Sequence, residues 1–179
     1  MKYKKSYDNE KRLNIFLIIS AVICFLVASS VLPFATGKGN GVPCDILLCF
    51  VCALPFFAGM KKAGIFALAL GFANDLFIEA PTQFSPVVFL ACILIAPAIA
   101  RFFSRVGTLV IAICTLPCIL MKDVFGMVVS LLVTEGANVS GILRDYRPFT
   151  ILMDFACAIC LTFILRVISK RLHLQAEKF

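Results

Sequence analysis

Tryptophan is absent from this chain of 179 residues, and histidine occurs once, at His173. The shortage of histidine excludes a histidine-activated serine or cysteine nucleophile, and a histidine-ligated zinc centre, within the body of the chain. Acidic residues are few, 10 against 17 Lys plus Arg. No glycine-rich phosphate loop ending in Gly-Lys-Ser/Thr is present. Long polar stretches are lacking too, so nothing suggests a separate soluble domain.

Apolar residues fill the gap. They make up 61% of the chain, with a mean hydropathy of +1.02, against about 45–50% in an average soluble domain. They come in long blocks, which read as membrane spans. The expectation is an all-α polytopic membrane protein, a single integral membrane domain over 1–179 with short basic tails at 1–12 and 169–179. The net charge of +7 does not make a nucleic-acid patch, because the basic residues sit at the ends of apolar runs. Of nine cysteines, all but Cys44 fall inside such runs. Cys49-x-x-Cys52 and Cys157-x-x-Cys160 have redox or metal spacing, but within spans they read as small packing residues. No metal or other cofactor is expected.

Six transmembrane helices can be drawn, at about 13–34, 42–60, 63–78, 86–100, 106–133 and 148–168. Lys61-Lys62 makes a tight basic turn between the second and third. Ser85-Pro86 reads as an N-cap followed by a first-turn proline. Pro55, Pro97 and Pro117 interrupt spans. With both termini cytoplasmic, every inside segment is basic, and the outside carries only Lys38, Arg144 and Arg147. The first apolar run is too long for a cleaved signal. Asn138-Val139-Ser140 reads as ordinary loop.

Charges inside spans are costly and usually face protein or water. Asp45, Asp75, Lys122, Asp123 and Asp154 all fall toward the outer side on this topology. Asp45 opens a helix and reads as its cap. Gly64, Ala67, Gly71 and Asp75 share an arc of about 80° on the third span, a small-residue face on which another helix packs. Asp75 should therefore point into the bundle. Lys122 and Asp123 are adjacent and diverge by about 100°, so each needs another partner. Lys122 with Asp75 or Asp154 is the expected pairing. Asp75, Lys122, Asp123 and Asp154 are the candidates for partner or ligand binding. No catalytic set is visible, and nothing supports an aspartyl dyad.

The run Pro43-Cys44-Asp45-Ile46-Leu47-Leu48, then Lys61-Lys62-Ala63-Gly64, then Gly71-Phe72-Ala73-Asn74-Asp75-Leu76, resembles the rod-shape-determining protein MreD family. In that family a Pro-Asp opens an apolar span, a basic turn follows, and a glycine-rich span ends in Gly-x-x-x-Asp-Leu. Here Cys44 separates the proline from the aspartate. The resemblance covers Val42 to Ala100. It implies a non-enzymatic protein of the bacterial plasma membrane, in the cell-elongation machinery that directs peptidoglycan synthesis. It implies association with MreC and, through it, with MreB and the peptidoglycan synthases. The family also resembles in fold the vitamin-binding S-components of energy-coupling-factor transporters. That gives the alternative: an outer cavity holding a small molecule. S-component pockets often use aromatic residues with polar tips, and this chain has few, which favours the protein-binding reading.

Overall fold

The computed structural model describes residues 2–31, 45–77, 84–133 and 148–171. The expected loops at 36–41 and 134–147, Pro43 and Cys44, the Asn138 triplet and His173 lie outside them. All elements among the described residues are helical. They are α1 (Lys2–Leu26, continued by a π-helical turn, Val27–Val31), α2 (Ile46–Ala58), α3 (Met60–Phe77), α4 (Ser85–Ala100), α5 (Thr108–Val133) and α6 (Pro148–Arg171). Three segments are long and apolar enough to cross a membrane: Lys11–Ser29, Thr108–Val129 and Ile151–Arg171.

The shortest helix is the middle of the assembly. From Leu47 to Ala58 every residue of α2 is buried, and α2 touches each of the other five helices. A helix apolar on all sides belongs inside. Leu47, Leu48, Phe50, Val51 and Leu54 fill the centre, and Leu17, Phe89 and Ile119 pack in the same cluster. Around α2 the others form a row, α3 on α4, α4 on α5 and α5 on α6, with α1 against α2 and α3. Large apolar side chains face outward, among them Ile18, Val22 and Ile23 of α1, Phe72 and Leu76 of α3, and Phe163 and Ile164 of α6. That is the pattern lipid favours, since lipid tails are as apolar as the side chains.

Two glycines set the geometry. Gly59 (φ 76°) ends α2 and reverses the chain into α3; a side chain there would be strained. Gly71 lets α3 lie directly on the start of α4. A Cβ built on it would stand 2.5 Å from Pro86 Cα and 2.6 Å from Pro86 N. Asp75 near the end of α3 meets Ser85 at the start of α4, and Arg166 near the end of α6 meets Thr108 at the start of α5. These contacts make each pair antiparallel. Phe25 stacks edge-on against Phe77 at 6.1 Å, joining the end of α1 to the end of α3.

Two sequence expectations shift. Ser85 is not the cap of α4 but its first residue; Phe84 caps it, in the left-handed region (φ 43°) and with no side-chain bond. The small-residue face of α3 is narrower than expected. Ala67 and Gly71 are buried, but nothing lies within 4 Å of a Cβ placed on Gly64. Gly64 sits little more than a turn from the Gly59 reversal.

Candidate functional site

A short helix buried in a bundle has a problem at its start. Its first amide groups have no partner within the helix and no water to replace one. At the head of α2 this is solved by three charged side chains from three helices.

Asp45 is the cap, with non-helical backbone (φ −89°, ψ 70°). Its two carboxylate oxygens do different work. Oδ1 accepts the amide of Leu48 at 3.1 Å, while Oδ2 takes the ammonium of Lys122 from α5 as an ion pair. The backbone amide of Asp45 donates to Oδ1 of Asp154 on α6 at 2.7 Å. One turn further along α2, the Cys49 thiol donates to the backbone oxygen of Asp154 at 3.4 Å. Asp154 is buried at 5% exposure, whereas Asp45 and Lys122 keep about a fifth of their side-chain surface open. Bonds with one ionised partner are the stronger class. The network therefore ties α2, α5 and α6 together at one level.

The head of α4 repeats the device. Both carboxylate oxygens of Asp75 accept the amide of Ser85, each at 3.2 Å. Asn74 donates its amide to the Ser85 hydroxyl at 2.9 Å. Pro86 has no amide hydrogen to satisfy. The amides of Val87 and Val88 turn back onto the Phe84 carbonyl.

The sequence candidates thus divide. Asp45, Lys122 and Asp154 come together. Asp75 is partly buried and holds the next helix, with Ser85 as its partner. Asp123 lies on α5 beside Lys122, also partly buried. Lys122 also takes a partner that the sequence expectation did not name. Its ion pair is with Asp45, because α2 lies against α5 and the Asp75 carboxylate is already spent on Ser85. Asp45 was read as a cap alone, yet it is the hinge of the charge network. Asn74 was missed, and Ser85 was read as a helix cap and not as the partner of Asp75 and Asn74. The signal that could have found them is an Asn-Asp pair closing one helix a short loop before a Ser-Pro opening the next.

No family model matches this chain, and neither a curated protein nor a solved structure is detectably similar to it.

Proposed function

We propose that this chain is a non-enzymatic, multi-pass component of the bacterial cell-elongation machinery. It acts in the plasma membrane by docking partner helices and regulates cell shape and peptidoglycan synthesis. The observation that carries the non-enzymatic reading is where the acids go. Asp45, Asp154 and Asp75 each bind a backbone amide that a helix start leaves free. A carboxylate so engaged is a poor general acid or base, because proton transfer would cost a structural bond. The assignment to cell elongation rests on the MreD-like run from Val42 to Ala100. The partner is then MreC and, through it, MreB and the peptidoglycan synthases. The basic residues at the start of α3, between α4 and α5 and at the end of α6 support a cytoplasmic location for those ends and for both termini.

The test is deletion in the native host together with co-purification of the tagged chain. Loss of rod shape and recovery of MreC support the reading. Normal shape, with no MreC recovered, overturns it. One observation favours the alternative of a vitamin-binding S-component. The Asp45–Lys122 pair retains about a fifth of its surface, so a ligand could reach it from the outer side. Stabilisation of the purified chain by a common vitamin in a thermal-shift series would decide for that alternative.

A further inference from the structure

Three thiols meet inside the bundle. Cys52 comes from α2, Cys92 from α4 and Cys118 from α5. Each is 0% exposed, and the three sulfurs all lie within 4.8 Å of one another. The sequence spacing does not announce this. Cys49, the Cys-x-x-Cys neighbour of Cys52, turns to Asp154 instead. The Cys118 thiol donates to the backbone oxygens of Cys114 at 3.5 Å and of Cys92 at 3.9 Å.

Sulfurs about 2.3 Å from an ion at the centre of their plane stand about 4 Å apart. The trio can therefore close on an ion by moving at most about 1 Å. Its helices are able to move there. Proline lacks the amide that would bond the carbonyl four residues back. Pro55, Pro97 and Pro117 thus release the helical bonds of the Val51, Ile93 and Ile113 carbonyls. Two of those residues are direct neighbours of Cys52 and Cys92. All three sulfur-bearing helices run on through a proline that lies within five residues of the cysteine.

The donor set selects the ion. An all-sulfur site suits soft ions, Cu(I) foremost, over hard oxygen-seeking ones. Charge decides between Cu(I) and a divalent ion. In apolar surroundings an uncompensated charge is expensive. A monovalent ion that replaces one thiol proton leaves the site neutral; a divalent ion must displace two. The surroundings also offer a way in. Asp45, Cys49 and Cys52 follow one face of α2, and Lys122 and Cys118 one face of α5. A line of polar groups therefore runs from the partly open ion pair down to the trio.

We infer that Cys52, Cys92 and Cys118 form a three-sulfur binding site for Cu(I). Loading is an exchange without redox change. Cu(I) gains a bond to one thiolate and two to neutral thiols, one S–H bond breaks, and the proton leaves to the chelator or solvent that delivered the metal.

The test uses the full chain in detergent or nanodiscs, in a Cys157→Ser, Cys160→Ser background that removes the more accessible α6 thiols. Cu(I) is supplied anaerobically and then competed with bathocuproine disulfonate. The expected result is about one Cu(I) retained per chain, with only sulfur neighbours by X-ray absorption. Cys52→Ala, Cys92→Ala and Cys118→Ala should each weaken retention by more than the roughly 10–100-fold typical of outer-shell changes. Cys24→Ala should leave it unchanged. Equal copper content in the parent and in the triple alanine variant overturns the site. Preferential retention of Zn(II) overturns the assignment to copper. Should the variants fail to fold, thiol alkylation of the parent in mild denaturant decides. Cu(I) should shield three thiols, and identical alkylation with and without Cu(I) refutes the inference.

Discussion

Gly71→Ala and Gly64→Ala are the same chemical change on the same helix, and the structure gives them opposite signs. At Gly71 the added carbon would stand 2.5 Å from Pro86 Cα, 2.6 Å from Pro86 N and 3.0 Å from the Ser85 carbonyl carbon. All three are backbone atoms at the head of α4, so no flexible side chain can swing aside. The helices must separate by about 1 Å to restore ordinary contact. Overpacking of this kind costs about 1–3 kcal/mol. It also stretches the Asp75–Ser85 bonds, which are already 3.2 Å, and further lengthening takes them out of hydrogen-bond range. At Gly64 the new carbon meets nothing within 4 Å. There the gain in helix propensity dominates, about 0.5–1 kcal/mol in favour of alanine.

The assay is thermal unfolding of both variants in one detergent, followed by size-exclusion of the surviving monodisperse fraction. Gly71→Ala should lower Tm by several degrees, and Gly64→Ala should leave it unchanged or raise it slightly. Equal shifts in both would refute the close α3–α4 contact and the antiparallel packing built on it.

The charge network makes its own predictions. Lys122→Met strands the Asp45 carboxylate and should destabilise, by less than the about 3–5 kcal/mol of a fully buried pair because both groups keep some solvent. A double-mutant cycle with Asp45→Asn should show coupling, and additive effects would rule the pair out. Asp154→Asn keeps an acceptor for the Asp45 amide and should be milder than Asp154→Leu, which leaves that amide bare; identical losses in Tm would contradict the capping role. Asp75→Leu should destabilise more than Leu76→Ala, since Leu76 is 78% exposed. Membrane-impermeant labelling of cysteines placed at Lys62 and at Arg101 should protect both in intact cells, and modification of either would reverse the proposed orientation.

The helices were legible because apolar blocks of this length have few other readings, and Ser85-Pro86 opens α4 and Arg101–Arg105 follows it as expected, whereas Lys61-Lys62, expected as a turn, lie in the first turn of α3 and the reversal is made by Gly59. What the sequence concealed was depth. α2 looks like any other span by hydropathy, yet its 13 residues rise about 20 Å, short of the roughly 30 Å hydrocarbon core. Periodicity could not show it to be central, because a helix apolar all round has no favoured face. Its partner choice was hidden for the same reason. Lys122 meets Asp45 because α2 packs against α5, a fact of three-dimensional packing. Cys52, Cys92 and Cys118 are 40 and 26 residues apart in sequence, so no local spacing could signal their convergence.

The short central helix also explains why acids are tolerated in so apolar a chain. A helix that crosses the whole membrane places its free amides near the headgroups, where water can satisfy them. A helix that starts inside the bundle cannot. For α2 the remedy is a cap from its own leading residue, Asp45, a second carboxylate from α6 and a compensating ammonium from α5. For α4 it is a carboxylate from the end of α3. Asp45, Asp154 and Asp75 thus each stand at a free backbone amide, and in the first network the Lys122 ammonium lies against the Asp45 carboxylate. On this argument the polar residues follow from the need to bury helix ends. The outward faces are left to lipid and to partner helices, which is where a protein that works by docking would need them.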